Sequence, residues 1–562
     1  MAELNVSRKT IGQLFGEIKK DILIIPEYQT PYKRDREKCD ILGNAIINFH
    51  NENEDNSNQY FLGTIVTCKT DDGFEVIDGQ QRITSLFLLL RAFYTKLEAM
   101  DKQDDREVIG LKSQIAPCIW DVNRKSKIVE DYSKIHIMSK VATEKDNDVF
   151  HSILKDGKSS NEKSLYAINY NYFLTKCNEF AKNEPLEWLN LCLTILDSCI
   201  VFPIECDSLD SALTIFSTLN DRGMPLSDSD IFKAQIYKDQ KNDDAKQEFT
   251  TKWKELSEHV DEAGISLNDI FRYYSHVIRA RNMDRSKEIG LRRFYSNEKF
   301  KNLKEPELIE KLISLAKFWK IINKDETYYL IGNSPYLNDD SRKLLQLLYC
   351  YPNEYWKYIT SVYFFFCKNN NVNIQSSLPE FWRKISTFLY VKFIYSPTVN
   401  AIKDAIYSYS IDVYHKHALN FEVAKNEDFR QRLSAHNSSR ITKGLLFMYA
   451  YTNPAQALIT FNPQIEHIFP QKWQNTNYNG WNKEDADEYL EKLGNKVLIE
   501  KRINIQANNS YFGKKRDIYK DSKIVELQIL AKNQNSDWLK DDISARENEI
   551  LEALTNYIFE KK

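Results

Sequence analysis

No CxxC pair occurs among the nine cysteines, and they follow no even spacing. That argues against a cysteine-built zinc site and against a disulfide framework, and it favours free thiols in a reducing cytosol. Long apolar runs are missing too. No stretch reaches the roughly 18 uninterrupted apolar residues of a membrane span. The best candidate, Leu344–Cys367, is broken by Pro352, Asn353, Glu354 and Lys357. The opening residues, MAELNVSRKT, lack the apolar core of a signal peptide. A cytoplasmic location with no membrane partner is therefore expected. A strong excess of positive charge is also lacking: 28% of residues are charged, yet the net charge is −3. A basic coat for nucleic acid is excluded, so any such contact must come from local patches. There is no internal repeat.

What is present is enough for real cores. Apolar residues make up 42% of the 562, and aromatics, mostly Tyr and Phe, 13%. The length suggests several domains. The reading is a multidomain α+β protein, predominantly helical, in three parts: 1–240, 241–450 and 451–562. In the first, Ile22–Ile25, Phe61–Cys68, Phe74–Ile77 and Ile200–Glu205 are rich in β-branched and aromatic residues and are expected as strands. Gln80–Leu97 puts Ile83, Leu86, Phe87, Leu90, Phe93, Tyr94 and Leu97 on one broad helical face. Lys102–Asn190 is expected as a helical insertion. The middle part is helical, with runs such as Pro306–Ile322, Ser341–Tyr351 and Ser386–Tyr395, and carries no chemical motif.

The last part holds Gln464-Ile-Glu-His-Ile-Phe-Pro470, then Gly494-Asn-Lys-Val-Leu-Ile-Glu500, then Asn504 and Asn508. Ile465–Phe469 predicts a strand stopped by Pro470. Lys496–Ile499 predicts a second strand, and helices follow from Ile503 and from Lys514. This strand, loop, strand, helix order suits phosphodiester hydrolysis at one metal ion. Such chemistry needs an activated water, a group that orients its base, and a cation. His467 is the candidate base, since its pKa suits proton removal near neutrality. Asn495 is the candidate orienting group. Glu466 with Asn504, or alternatively Asn508, would give oxygen ligands to Mg²⁺, Mn²⁺ or another divalent ion. Asn495–Lys523 holds eight basic and three acidic residues, a local charge of +5. Lys496, Lys501, Arg502, Lys514, Lys515 and Arg516 are the candidate DNA contacts.

Three motifs mark the N-terminal part. They are Ile25-Pro-Glu-Tyr28-Gln29-Thr-Pro-Tyr32, Phe74-Glu-Val-Ile-Asp78-Gly79-Gln80-Gln81-Arg82-Ile-Thr84, and Ile215-Phe-Ser-Thr-Leu-Asn220-Asp-Arg222-Gly-Met-Pro-Leu-Ser-Asp-Ser-Asp230-Ile-Phe-Lys233. In the second, a strand runs into a helix through Asp-Gly. Helix N-termini present free N–H groups and partial positive charge to phosphates. Gly79 lets a phosphate approach, Arg82 adds a charged contact, Gln80 and Gln81 can orient a water or a base, and Asp78 can cap the helix or hold a metal. No GxxxxGK[ST] loop occurs. In the third, Arg222, Asp230 and Lys233 are expected to cluster beside a turn, with Ser227 or Asp228 capping the next helix.

These residues resemble the GmrSD-like type IV restriction enzymes. IPEYQ, DGQQR and the FSTLNDRGMPL segment are similar to that family's N-terminal domain, related to the ParB and sulfiredoxin fold. EHIFPQ, LGNKVLIE, the following asparagines, Phe512-Gly-Lys514, and the trailing Trp538, Ile543 and Arg546 are similar to its C-terminal ββα-metal HNH domain. The resemblance implies binding and hydrolysis of a nucleoside triphosphate, GTP or another, that controls the nuclease. The implied nucleotide contacts are Tyr28, Gln29, Asp78, Gly79, Gln80, Gln81, Arg82, Thr84, Asn220, Arg222, Asp230 and Lys233. Thr30 stands where the family usually has Arg, with Arg34 placed to compensate. The expected activity is an NTP-regulated, metal-dependent DNA endonuclease or nickase, reading modified DNA in antiviral defence. The expected partners are DNA, phage DNA above all, and a nucleotide, and a homodimer is the candidate assembly. The alternative is a nucleotide-dependent DNA-binding or scaffold protein with a weakly active or inactive nuclease domain, and the intact Glu466, His467 and Asn495 weigh against it. RNA cleavage is a third reading, though no RNA-recognition module is present.

Overall fold

The computed structural model describes every residue except 1–4, 18–21, 54–57, 101–104, 160–162, 209–210, 213–214, 216–226, 325–328, 331–333, 336, 399, 416–427, 436–438, 474–480 and 560–562. It divides into two compact units, Met1–Trp253 and Lys254–Lys562. No second break appears near 450: the helices expected as a separate middle part belong to the same unit as the C-terminal hairpin.

The first unit is built on a seven-stranded mixed sheet. Across it run Asn5–Val6, Cys199–Cys206, Tyr60–Thr70, Gly73–Asp78, Ile22–Ile25 and Ile137–Ser139, and Lys9–Thr10 also pairs with Cys199–Cys206. Tyr60–Thr70 and Gly73–Asp78 form an antiparallel hairpin, whereas Ile22–Ile25 lies parallel to Gly73–Asp78. The strand Ile137–Ser139, also parallel to Ile22–Ile25, corrects one expectation. The 102–190 insertion is not wholly helical: it returns a strand to the sheet. Only three residues pair there, too few to give a readable alternation in sequence.

The helix Gln80–Glu98 starts one residue after its strand and is buried on most sides, Ile83, Leu86, Phe87, Leu88, Leu90, Ala92 and Leu97 included. It packs against the helices Arg106–Ile119 and Leu165–Asn183. Each large apolar side chain buried there contributes about 1.5–3 kcal/mol. That anchorage holds the strand-to-helix junction in place.

The second unit is helical apart from two short hairpins among the described residues. Helices Leu308–Asn323 and Asp339–Tyr349 lie within two residues of the runs expected, and Ile374–Tyr395 begins twelve residues before the expected Ser386. Pro352–Glu354 separates Asp339–Tyr349 from Tyr355–Asn369, and no described helix is long and apolar enough to cross a membrane. The strands Gln464–His467 and Lys496–Ile499 pair antiparallel, with His467 opposite Lys496. Helices Lys501–Ala507 and Phe512–Tyr519 follow, so the ββα order holds.

Candidate functional site

In the first unit the three motifs meet. Gln29 donates its amide to the Ile77 carbonyl at 3.0 Å, and the Tyr28 hydroxyl donates to Glu75 at 3.1 Å. Gln81 accepts from the Lys33 N–H and donates to the Pro31 carbonyl. Thr30 donates to Asp230 at 2.7 Å, and Lys233 Nζ donates to the carbonyls of Glu27 and Gln29. Thus the loop between Pro26 and Lys33 is held from both sides. Burial lowers the Lys233 pKa to about 8, yet two carbonyls and the Trp253 ring face its ammonium.

Several expected ligand groups are consumed by this framework. Tyr28, Gln29, Gln80, Thr84 and Lys233 are buried. Gln81 spends both ends of its amide on backbone, so it orients the loop rather than a base. Ser227, not Asp228, caps the helix Asp228–Lys238. Asn220 and Arg222 lie outside the described residues.

What stays open is the junction at Gly79. This residue adopts φ 91° and ψ 3°, the left-handed region that favours glycine. It is the N-cap of the helix and, having no side chain, makes no side-chain cap bond to the first-turn N–H groups. Asp78 precedes the N-cap, and its carboxylate accepts from the N–H of Gly79 itself. Burial raises its pKa, against the opposing pull of the Gly79 N–H and Arg82. Arg82 donates to the Thr64 carbonyl at 2.9 Å. Burial lowers the Arg82 pKa; Asp78 offsets this, while nearby Arg34 adds to it. Arg34 Nη1 is buried with no hydrogen-bond partner. Two guanidinium groups and an uncapped helix start form a setting that favours an anion.

In the second unit, alternation along Gln464–His467 sends Gln464 and Glu466 to one face and His467 to the other. Glu466 is buried, 2.7 Å from Lys515 Nζ, and accepts from the Tyr519 hydroxyl at 2.9 Å. Burial raises its pKa, against Lys515 and Tyr519. Asn504 donates to Gln464 at 2.8 Å, on the Glu466 side. Asn508 ends its helix at φ 45° and accepts from Asn509. The oxygen donors expected for a metal are thus not gathered around His467. Among the described residues no group of three or more His, Cys, Asp or Glu is placed to hold an ion.

His467 keeps other company. Its Nε2 lies 3.3 Å from Glu491 and 3.4 Å from Gln471 Nε2. Burial lowers its pKa, with Glu491 opposing, so the neutral base form is favoured. Asn495 does not touch the imidazole. Its amide accepts from the Phe469 N–H at 2.7 Å and donates to the carbonyls of Phe469 and Leu490. It fixes the turn leaving the His467 strand. Gly494 is held just before it: a Cβ there would sit 2.0 Å from the Ile543 carbonyl oxygen. Arg546 from the helix Lys540–Phe559 donates to the carbonyls of Leu493, Gly494 and Lys496.

The basic stretch divides. Lys496 and Lys515 are buried against Glu491 and Glu466, and Arg516 is spent on the carbonyls of Asn533 and Asn535. Lys496 and Lys515 are thereby neutralised, while Arg516 keeps its charge but is held by backbone. Lys501, Arg502 and Lys514 are exposed.

Sequence reasoning missed Glu491 and Gln471. Glu491 stands 24 residues after His467, in a stretch with no strand or helix period tying it to the hairpin.

Comparison with known proteins agrees with this geometry. The model of the GmrSD restriction endonuclease N-terminal domain matches residues 11–237, and that of the GmrSD restriction endonuclease C-terminal domain matches 418–553. No curated protein matches the chain. The two matched domains, in the order that joins a DGQQR junction to an EHIFP hairpin, place this chain in the GmrSD-like type IV restriction enzymes, a family of nucleases that act on DNA.

Proposed function

We propose that the chain is an NTP-regulated, divalent-ion-dependent DNA endonuclease or nickase, reading modified DNA in defence against phage. The observation that carries the nuclease reading is His467. It ends a strand beside a carboxylate, is held toward its neutral form, and is partly exposed. In hydrolysis His467 takes a proton from water, the water oxygen bonds to phosphorus, and the ester P–O bond breaks. Asn495 holds the turn that keeps the His467 strand end in position.

Ion dependence rests on charge. The transition state gathers negative charge on the phosphate, and Lys496, opposite His467 in the hairpin, and Lys515, which donates to the His467 carbonyl, are each neutralised by a carboxylate. A bound divalent ion would supply that missing counter-charge.

The test compares wild type with His467→Ala on plasmid and phage DNA with Mg²⁺ or Mn²⁺. Cleavage by wild type alone supports the proposal. Equal degradation by both overturns it. The nucleotide reading rests on Arg34, Arg82 and the uncapped start of Gln80–Glu98. Hydrolysis of GTP and ATP by Arg82→Ala and Asp78→Ala measures it, and unchanged rates would remove that site.

A further inference from the structure

We infer that Glu491 is the residue that orients the His467 imidazole, a positioning role that rests on the nuclease reading above. His467 and Lys496 are directly opposed across the hairpin, and opposed side chains share a face. Glu491 reaches both. One carboxylate oxygen lies 3.3 Å from His467 Nε2, and the other meets Lys496 Nζ at 2.5 Å. The Lys496 side chain is only 6% exposed, whereas Glu491 is 50% exposed. The carboxylate is therefore tethered from the protein side and offers its second oxygen to the imidazole.

The remaining groups at His467 leave that role to Glu491. Lys515 donates to the His467 carbonyl at 2.7 Å and is neutralised by Glu466. Gln471 brings its amide nitrogen to 3.4 Å from the same Nε2, a neutral donor that competes for this atom and that the charged carboxylate at 3.3 Å outweighs. Glu466, the neighbour in sequence, lies on the other face. Asn495 spends its amide on backbone.

An anionic oxygen at Nε2 selects the tautomer that carries its proton there. Nδ1 then holds the lone pair and is the atom that takes the proton of water. A carboxylate held by a lysine is better suited to this than a mobile one, because its position does not depend on the imidazole.

The experiment uses the full chain with Glu491→Gln and Glu491→Asp. For Glu491→Gln we expect kcat on plasmid DNA to fall about 10- to 100-fold, as for other residues that orient a reacting group, with KM unchanged. Glu491→Asp recovers most of the rate. In ¹⁵N-histidine-labelled protein without DNA, wild type should show His467 with a protonated Nε2 and a bare Nδ1. The signal is assigned by its loss in His467→Ala. Glu491→Gln should move both nitrogens towards an averaged value. Unchanged nitrogen shifts, or a raised KM at unchanged kcat, would overturn the inference. If wild type cuts no DNA, the nuclease reading fails, and the nitrogen shifts alone then decide for or against Glu491.

Discussion

Two strand ends carry the chemistry proposed for this chain, and they are built differently. Gly73–Asp78 runs straight into a helix, and the groups it leaves open are mainly backbone N–H donors beside two arginines. Gln464–His467 runs into a turn clamped by Asn495, and what it leaves open is one side chain. The first suits holding an anion, because many weak donors converge on it. The second suits moving a proton, because one group with a tuned pKa does that work. In both, most polar side chains of the motif are spent on the protein itself. They build the frame, and few residues face the ligand.

This contrast can be broken by substitution. The largest effect is expected for His467→Ala, which should lower DNA cleavage about 100- to 10,000-fold, the usual range for a general base. NTP hydrolysis by the same protein should be unchanged. A parallel loss of both activities would mean the two sites do not work separately.

Next comes Lys515→Met. It leaves Glu466 buried without its cation, and breaking a buried pair costs about 3–5 kcal/mol. Urea unfolding should show that loss, and Glu466→Gln in the same chain should restore part of it. If Lys515→Met retains full stability but loses cleavage, Lys515 belongs to the reaction rather than to the frame.

Asn495→Ala removes three hydrogen bonds to backbone groups, two of them buried. Leaving such groups without a partner costs about 1–3 kcal/mol. Both stability and cleavage should fall. Full stability with lost cleavage would restore a direct contact with the reacting groups.

At the other strand end, Gly79→Ala forces a side chain into a left-handed conformation, at about 1–2 kcal/mol. NTP hydrolysis should drop, and cleavage activity measured without nucleotide should not.

The smallest effect concerns pH. Burial lowers the His467 pKa from its ordinary value of about 6.5. The base must be neutral, so activity is lost as pH falls through the lowered value. At pH 6.5 more than half of the maximal kcat should remain. A midpoint above 6.5 would show that Glu491 outweighs burial.

Much of the fold was legible because its signals are local. Ile22–Ile25 is a run of β-branched and apolar residues, and Gln80–Glu98 shows helical periodicity over five turns. The strand Ile137–Ser139 was not legible, since its pairing with Ile22–Ile25 depends on chain more than a hundred residues away. The site divides in the same way. His467 and Asn495 stand in motifs that read directly. That Glu466 and His467 face opposite sides follows from strand alternation, but what each face meets was decided only by the elements packed against it.

The sequence by itself determined which elements form, because propensity and periodicity act over a few residues, and it determined the family through motifs held in order. Only the tertiary structure decided what each charge does. Lys496 and Lys515 read as DNA contacts until burial and a carboxylate within 2.7 Å claimed them. Glu491 stands in no sequence motif, and only the fold brings it to His467. The reason is that electrostatic roles are set by distance and burial in space, which separation along the chain does not encode.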